Sequence, residues 1–449
     1  MENTNRAHSK STEDMLSILE DVLARAKACG ASDASVSVHD DCGFSVDVRM
    51  GEVETVAFNE DRGISLTAYV GHRKGTASST DLDSRGIDVL VEAAMGIASV
   101  SAADPCFGLP EPHLMQKEWQ DLDLYHPWSL TPAEAIEYAR DCESKALSQD
   151  ARIFNSDGVH LSTGGGISGF ANTAGGRGVL RFTRHSLSCS LLAREGDSVQ
   201  RDYAYTTARH PGDMRSLETV ALEAASRTTA RLGARQIGTR MAPVLFAPRI
   251  SGGLLSSFIN AISGSTLYRK NSFLQHALDT RVFPAGVTIH EQPALLRGLG
   301  SSPFDDEGVP TRANRFVEDG ILRLFALGSY SARKMNLQTT ANAGGVHNLT
   351  ADGGEYDLNA LVKRMGTGLL VTELMGSGVN ILTGDYSRGA GGFWVENGEI
   401  AYPVEQITIA GNLREMFLGI EAIGNDINPD SSTRCGSVLI NRMTVAGHG

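Results

Sequence analysis

Two stretches of this chain, residues 12–100 and 131–234, spell out the same order of elements, and this repeat limits the possible folds more than any other feature. The first stretch opens on a helix over 12–29. Met15, Leu16, Ile18, Leu19, Val22, Leu23 and Ala26 recur there at three- and four-residue spacing. Ser11 or Thr12 can cap it and Gly30 can stop it. Alternating strands follow at 34–39 and 44–48, then at 53–58 after a turn at Met50-Gly51, then at 64–70 and 75–78 around Gly71-His72. A helix from Ser84 to about Ile97 closes the unit. The second stretch starts at Thr131-Pro132, with proline in the first turn of a helix that runs to about Leu147. Its strands are expected at 153–155 and 159–162 around a turn at Asp157-Gly158, at 169–172 and 178–183, and at 186–195 and 198–205 around Gly196-Asp197. A helix over 216–232 ends it, and the proline-bearing segment 103–127 between the units reads as a linker. Amphipathic helices and half-buried strands each have one apolar face to cover, so helices layered on sheet are expected.

Residues 241–449 read differently. A strand at 243–247 and a helix at 250–262 precede a region dominated by strands. Hairpins are predicted over 313–327 on Asp319-Gly320 and over 393–404 on Asn397-Gly398, the latter a strong type I′ signal. Further strands are expected at 367–375, 407–410 and 437–440, with a short helix at 412–420. The fold class is therefore α+β: an N-terminal half of two helix–β-hairpin–helix units and a mainly antiparallel β C-terminal half. The expected division is a disordered tail over 1–11, an N-terminal domain over 12–240 containing units 12–100 and 131–234, and a C-terminal domain over 241–449.

Composition narrows the function. Glycine is abundant, 49 of 449 residues, and aromatics are only 6%, a pattern of many tight turns. Asp and Glu number 53 against 40 Lys and Arg, a formal charge of -13, so the cation surplus of a nucleic-acid binder is missing. No apolar run reaches the length of a membrane span, and the polar opening MENTNRAHSKS has no signal-peptide core. Cys29, Cys42, Cys106, Cys142, Cys189 and Cys435 are scattered without a C-x-x-C pair, as expected of reduced cysteines in a cytoplasmic protein.

Few motifs carry chemistry. His290-Glu291 is the only His-Glu pair, and no second histidine follows one helical turn later, so a zinc helix is not expected there. G-x-S-x-G and a phosphate-binding P-loop are absent, and Ser377 and Ser387 read as turn residues. Gly164, Gly166 and Gly169 form a G-x-G-x-x-G that opens no helix, and a flexible hairpin tip is the expectation. Asp305, Asp306 and Glu307 are adjacent carboxylates that can bind a cation or share a proton, or can form a solvated turn. In TGDYSRGAGGFW (383–394), glycines permit close backbone approach, and Tyr386 and Arg388 can meet a peptide carbonyl or carboxylate; the alternative is a glycine-rich bulge between strands.

The segment GLLVTELMGSGVNILTGDYSRGAGGFWVENGEI (368–400) resembles the hallmark of the PmbA/TldE family, within the TldD/PmbA superfamily once described as modulators of DNA gyrase. ITIAGNLREMF (407–417), RCGSVLI (434–440), SSPFDDEGVPT (301–311), LGSYSARKMNL (327–337) and AISGSTLYRKNSFL (261–274) are similar to the same family in order and spacing. The resemblance implies a protease assembled from a TldD-like and a PmbA/TldE-like subunit, cleaving unfolded or modified peptides such as antitoxins and peptide-antibiotic leaders. It places the catalytic metal on a His-Glu-x-x-x-His helix of the TldD-like subunit. Here the corresponding stretch, near Leu245 to Phe258, contains neither His nor Glu. The expectation is thus a non-catalytic subunit with no catalytic residue, metal ligand or cofactor of its own. Its partners are a TldD-like chain and unfolded peptides, not nucleic acid or membrane, and it can self-pair as a homodimer when alone. Asp305, Asp306, Glu307, His347, Tyr386 and Arg388 are the candidate peptide or partner contacts. Two alternatives remain: an autonomous metallopeptidase using residues such as His290, Glu291, His347 and Cys435, and an interaction protein that modulates gyrase.

Overall fold

The computed structural model describes residues 11–447. The tail expected over 1–11 lies outside them except for Ser11, which caps the first helix.

The first unit comprises α1 (Thr12–Ala28), β1 (Asp33–Arg49), β2 (Glu52–Val70), β3 (Arg73–Ser79) and α2 (Ser84–Val100). The second comprises α3 (Pro132–Leu147), β4 (Ile153–Asn172), β5 (Arg177–Glu195), β6 (Ser198–Ala208) and α4 (Leu217–Ala230). Ser11 with Asp14, and Thr131 with Glu134, form reciprocal capping boxes that satisfy orphan N–H groups at the starts of α1 and α3.

The two units do not form separate sheets. They share one antiparallel sheet in the order β3-β2-β1-β4-β5-β6, joined at β1–β4. Val36 and Val38 of β1 pack into the core under α1 and α2, while Phe44, Val46 and Val48 pack into the core under α3 and α4. These positions have one parity, so all four helices cover one face and leave the other polar.

Several expected strand breaks are absent. The segments 34–39 and 44–48 are one strand, as are 53–58 and 64–70. Asp157-Gly158 is not a turn but a β-bulge within β4. The glycine run 164–166 is not a hairpin tip: it lies mid-strand, with Gly43↔Gly164 paired at the junction of the units. A Cβ on Gly43 would stand 2.6 Å from the Thr163 carbonyl oxygen, and one on Gly164 would stand 2.8 Å from that of Cys42. The glycines let two backbones close on each other inside a continuous sheet.

The C-terminal half begins with β7 (Arg240–Phe246), α5 (Pro248–Ile262) and α6 (Gly264–Tyr268). A four-stranded sheet, β10-β9-β8-β11, is built from β8 (Ile289–Glu291), β9 (Arg315–Glu318), β10 (Ile321–Leu322) and β11 (Leu349–Ala351), with α7 (Ser329–Lys334) inserted. After α8 (Leu358–Met365) come β12 (Gly368–Met375), β13 (Asp385–Glu396), β14 (Glu399–Asn412), α9 (Leu413–Leu418), β15 (Ile420–Ile423) and β16 (Val438–Ala446). Both predicted hairpins form, and Asn397 and Gly398 adopt the positive φ values (52° and 79°) of their turn. The large sheet runs β14-β13-β12-β7-β16-β15, and β14 also pairs with β16, so five of its strands close into a ring. One contact, β7–β12, is parallel in this otherwise antiparallel sheet. The region 407–410, expected as a separate strand, is the continuation of β14. No described helix is long and apolar enough to cross a membrane.

Candidate functional site

Four of the six candidate residues converge. The tight turn at Asp305–Gly308 and the loop 341–347 meet over β8. Glu291 on β8, with no exposed surface, is the centre of this cluster. Its carboxylate accepts from Asn314 Nδ2 (2.6 Å), Asn342 Nδ2 (2.9 Å) and the His347 backbone N–H (2.8 Å). His347 Nδ1 lies 3.6 Å from Glu291 Oε2 and has no hydrogen-bond partner among the described residues. Asp305, 2% exposed, accepts from the N–H groups of Glu307, Val309 and Ala343, each at 3.0 Å. Burial first, then the charge of Glu307, raises its carboxyl to about 7 against the pull of those N–H donors. Burial also raises Asp306, opposed by His347. Glu307 accepts the Ser329 N–H at 2.8 Å and so holds the start of α7. These side chains clamp two loops to the small sheet, and their lone pairs are largely committed to N–H donors.

Tyr386 and Arg388 sit elsewhere, on β13. Tyr386 is 3% exposed, and burial pushes its hydroxyl up to about 12. Arg388 donates to the Met375 carbonyl oxygen at 3.1 Å, tying β13 to the end of β12. Neither shares a hydrogen bond with the carboxylate cluster.

The stretch that the resemblance aligns with a metal helix is the end of β7 and the first turns of α5, and it borders a cleft of about 410 Å³. This cleft lies where β6 and α4 meet α5 and the loop 426–430. Four arginines enter it, each paired. Arg249 and Arg231 flank Asp202 at 2.8 and 3.4 Å, Arg231 reaches Glu373 at 2.5 Å, and Arg215 bridges Glu223 (2.6 Å) and Asp430 (3.1 Å). Arg227 pairs with Glu223 from one turn away on α4. Burial would raise Asp202, but Arg249 above all, the Tyr203 N–H and Arg231 bring it below the ordinary carboxylate value. The linear sequence signals this network only faintly, as Glu223, Arg227 and Arg231 at four-residue spacing on α4. Asp202, Arg249 and Asp430 join it only through the fold.

The donor set at α5 does not suit a metal ion. Arg249 is a cation, Ser251 donates toward the carbonyl oxygens of Pro248 and Cys435, and Cys435 is 1% exposed. Burial pushes the Cys435 thiol up to about 12, leaving it protonated at neutral pH, whereas a thiolate is the ligand form. Among the described residues no three His, Cys, Asp or Glu side chains group as a metal site would require.

Three family profiles match the chain in succession: PmbA/TldA metallopeptidase domain 1 over residues 34–98, the central domain over 125–232 and the C-terminal domain over 239–447. Metalloprotease PmbA of Escherichia coli O157:H7 is 47% identical over 433 residues, 96% of each chain. A solved structure of a proposed modulator of DNA gyrase from Bacteroides thetaiotaomicron superimposes with a TM-score of 0.91 at 27% identity, covering 98% of this chain and all of that one. TldE from Thermococcus kodakarensis shares the fold, with a TM-score of 0.84 at 19% identity over 96% of this chain and all of that one. With three family domains matched in order from residue 34 to 447, the chain belongs to the PmbA/TldE family of the PmbA/TldD metallopeptidases.

Proposed function

We propose that this chain is the supporting subunit of a two-chain cytoplasmic peptidase, with a TldD-like partner carrying the catalytic metal. The substrates are unfolded or modified peptides, of the kind represented by labile antitoxins and peptide-antibiotic leaders. The observation that carries the reading is the composition of α5: PRISGGLLSSFINAI holds neither the His nor the Glu that a metal helix needs. An autonomous site at His290, Glu291 and His347 is disfavoured by geometry. Glu291 is occupied by three N–H donors, and His290 is turned to Gln292 Nε2 (3.0 Å) and Asp352 (3.5 Å). The test is peptidase activity on an unstructured peptide, with the purified chain alone, a TldD-like partner alone, and both. The proposal expects cleavage only by the mixture; cleavage by this chain alone refutes it.

A further inference from the structure

The repeat that builds the N-terminal sheet is broken at one edge. In each unit the third strand is shorter than the hairpin beside it. β6 pairs with β5 only from His185 onward, and β3 pairs with β2 only from Ile64 onward. Each hairpin therefore extends past its third strand with a bare outer edge. In the second unit the chain covers that edge itself. The linker runs along residues 177–183 of β5: Arg177 N–H donates to the Gln116 carbonyl (3.3 Å), Thr183 N–H to that of Leu124 (2.9 Å), and Trp119 Nε1 to the Arg177 carbonyl (2.7 Å). In the first unit no described residue plays that part. Among the described residues, the outer edge of β2 over residues 52–63 makes no backbone hydrogen bond, and β2 pairs there with β1 alone.

This bare edge is held in place. Glu143 of α3, 1% exposed, accepts the N–H groups of Met50 (2.9 Å) and Gly51 (2.7 Å), and Arg140 donates to the Gly51 carbonyl at 2.9 Å. It also lacks cover on the helix side. Val53, Val56 and Phe58 pair with Val48, Val46 and Phe44 but extend beyond the helices, 37, 39 and 62% exposed. Unpaired backbone beside an apolar row is what an added strand uses: the backbone supplies affinity and alternate side chains fill the row. The charges select the occupant. Glu52, Glu54, Glu60 and Asp61 stand along this stretch against one cation of its own, Arg62, itself paired with Asp40 at 3.0 Å, while Arg49 of β1 lies 3.6 Å from Glu54. Asp61 faces Asp41 across β1–β2 and lies 3.4 Å from His39 Nε2. On that face a 210 Å³ hollow lies beside Asp41, Asn59, Asp61 and Phe182. A second copy of this edge would bring the same carboxylate excess.

We infer that residues 52–63 of β2 are a docking edge for an extended, basic polypeptide segment, which adds as a seventh strand with apolar side chains over Val53, Val56 and Phe58. The inference stands on the unpaired edge, its apolar row and its charge, and holds whichever subunit cleaves. The test uses the full chain and a labelled 12-residue peptide of alternating valine and lysine, followed by fluorescence anisotropy and by hydrogen exchange of residues 52–62. Binding is expected to slow exchange across that stretch. Backbone N-methylation of alternate peptide residues is expected to weaken binding at least tenfold. The double variant Glu54→Lys/Glu60→Lys is expected to weaken it at least tenfold and to accept the valine–glutamate peptide instead. Absence of binding, binding without protection of 52–62, or indifference to N-methylation overturns the inference. So does protection of this edge that grows with chain concentration without peptide, which would make a second copy the occupant.

Discussion

Glu291 is a buried side chain held by N–H donors from Asn314, Asn342 and His347. Removing the carboxylate by Glu291→Ala leaves three buried donors unsatisfied, and a loss of about 3–5 kcal/mol is expected, read from denaturant unfolding. A loss below about 1 kcal/mol would show that water replaces the carboxylate freely. Asp305 offers a pH-dependent counterpart. Its folded value of about 7 lies above the ordinary value near 4, so the folded chain holds this proton longer than the unfolded one. The stability it contributes is fully present below about pH 4, declines as pH rises, and is gone above about pH 7. The stability advantage of the native chain over Asp305→Asn should therefore shrink between pH 4 and 7, by at most about 1.4 kcal/mol per unit. A pH-independent difference would contradict the assignment. The acidic run was visible in the sequence, but which carboxylate is buried was not. Burial of Asp305 depends on Ala343, 38 positions later, closing over it. Asn314 and Asn342 gave no signal, because an isolated asparagine reads as a turn residue until the fold brings a carboxylate to it.

The elements most legible in the sequence were those with local signals. The capping residues Ser11 and Thr131 mark their helices, and Asn397-Gly398 marks its hairpin. Glycine misled where it served a close approach rather than a turn. Gly164 to Gly166 lie inside β4, where a side chain on Gly164 or Gly166 would run into β1, about 120 residues away in sequence, and one on Gly165 into the Phe182 carbonyl of β5. Gly164→Ala pushes a methyl against the Cys42 carbonyl at 2.8 Å, and should destabilise by about 1–3 kcal/mol with faster amide exchange along β1 and β4. Exchange unchanged at these strands would return the glycines to the role of a flexible tip. The strand breaks expected at 40–43 and 59–63 also reflect local reading: Asp40 is buried on the covered face and paired with Arg62, and Asp41, Gly43, Asn59, Asp61 and Gly63 lie on the uncovered face, so pairing continues through them.

At the scale of the molecule, the repeat was legible as element order, but its union into one sheet was not, since joining β1 to β4 is a contact between the units. The arginine–carboxylate cleft was equally hidden, because it is assembled from β6, α4, α5 and the loop 426–430. It meets α5 at Arg249, and the proposed function rests on α5 itself, which holds neither His nor Glu. The most direct measurement is the metal content, by mass spectrometry, of this chain purified alone and of its complex with a TldD-like partner. The account predicts a metal-free chain and one metal ion per two-chain complex, unchanged by Cys435→Ser in this chain. Stoichiometric metal in the chain alone, lost on substituting Cys435 or His347, would contradict it.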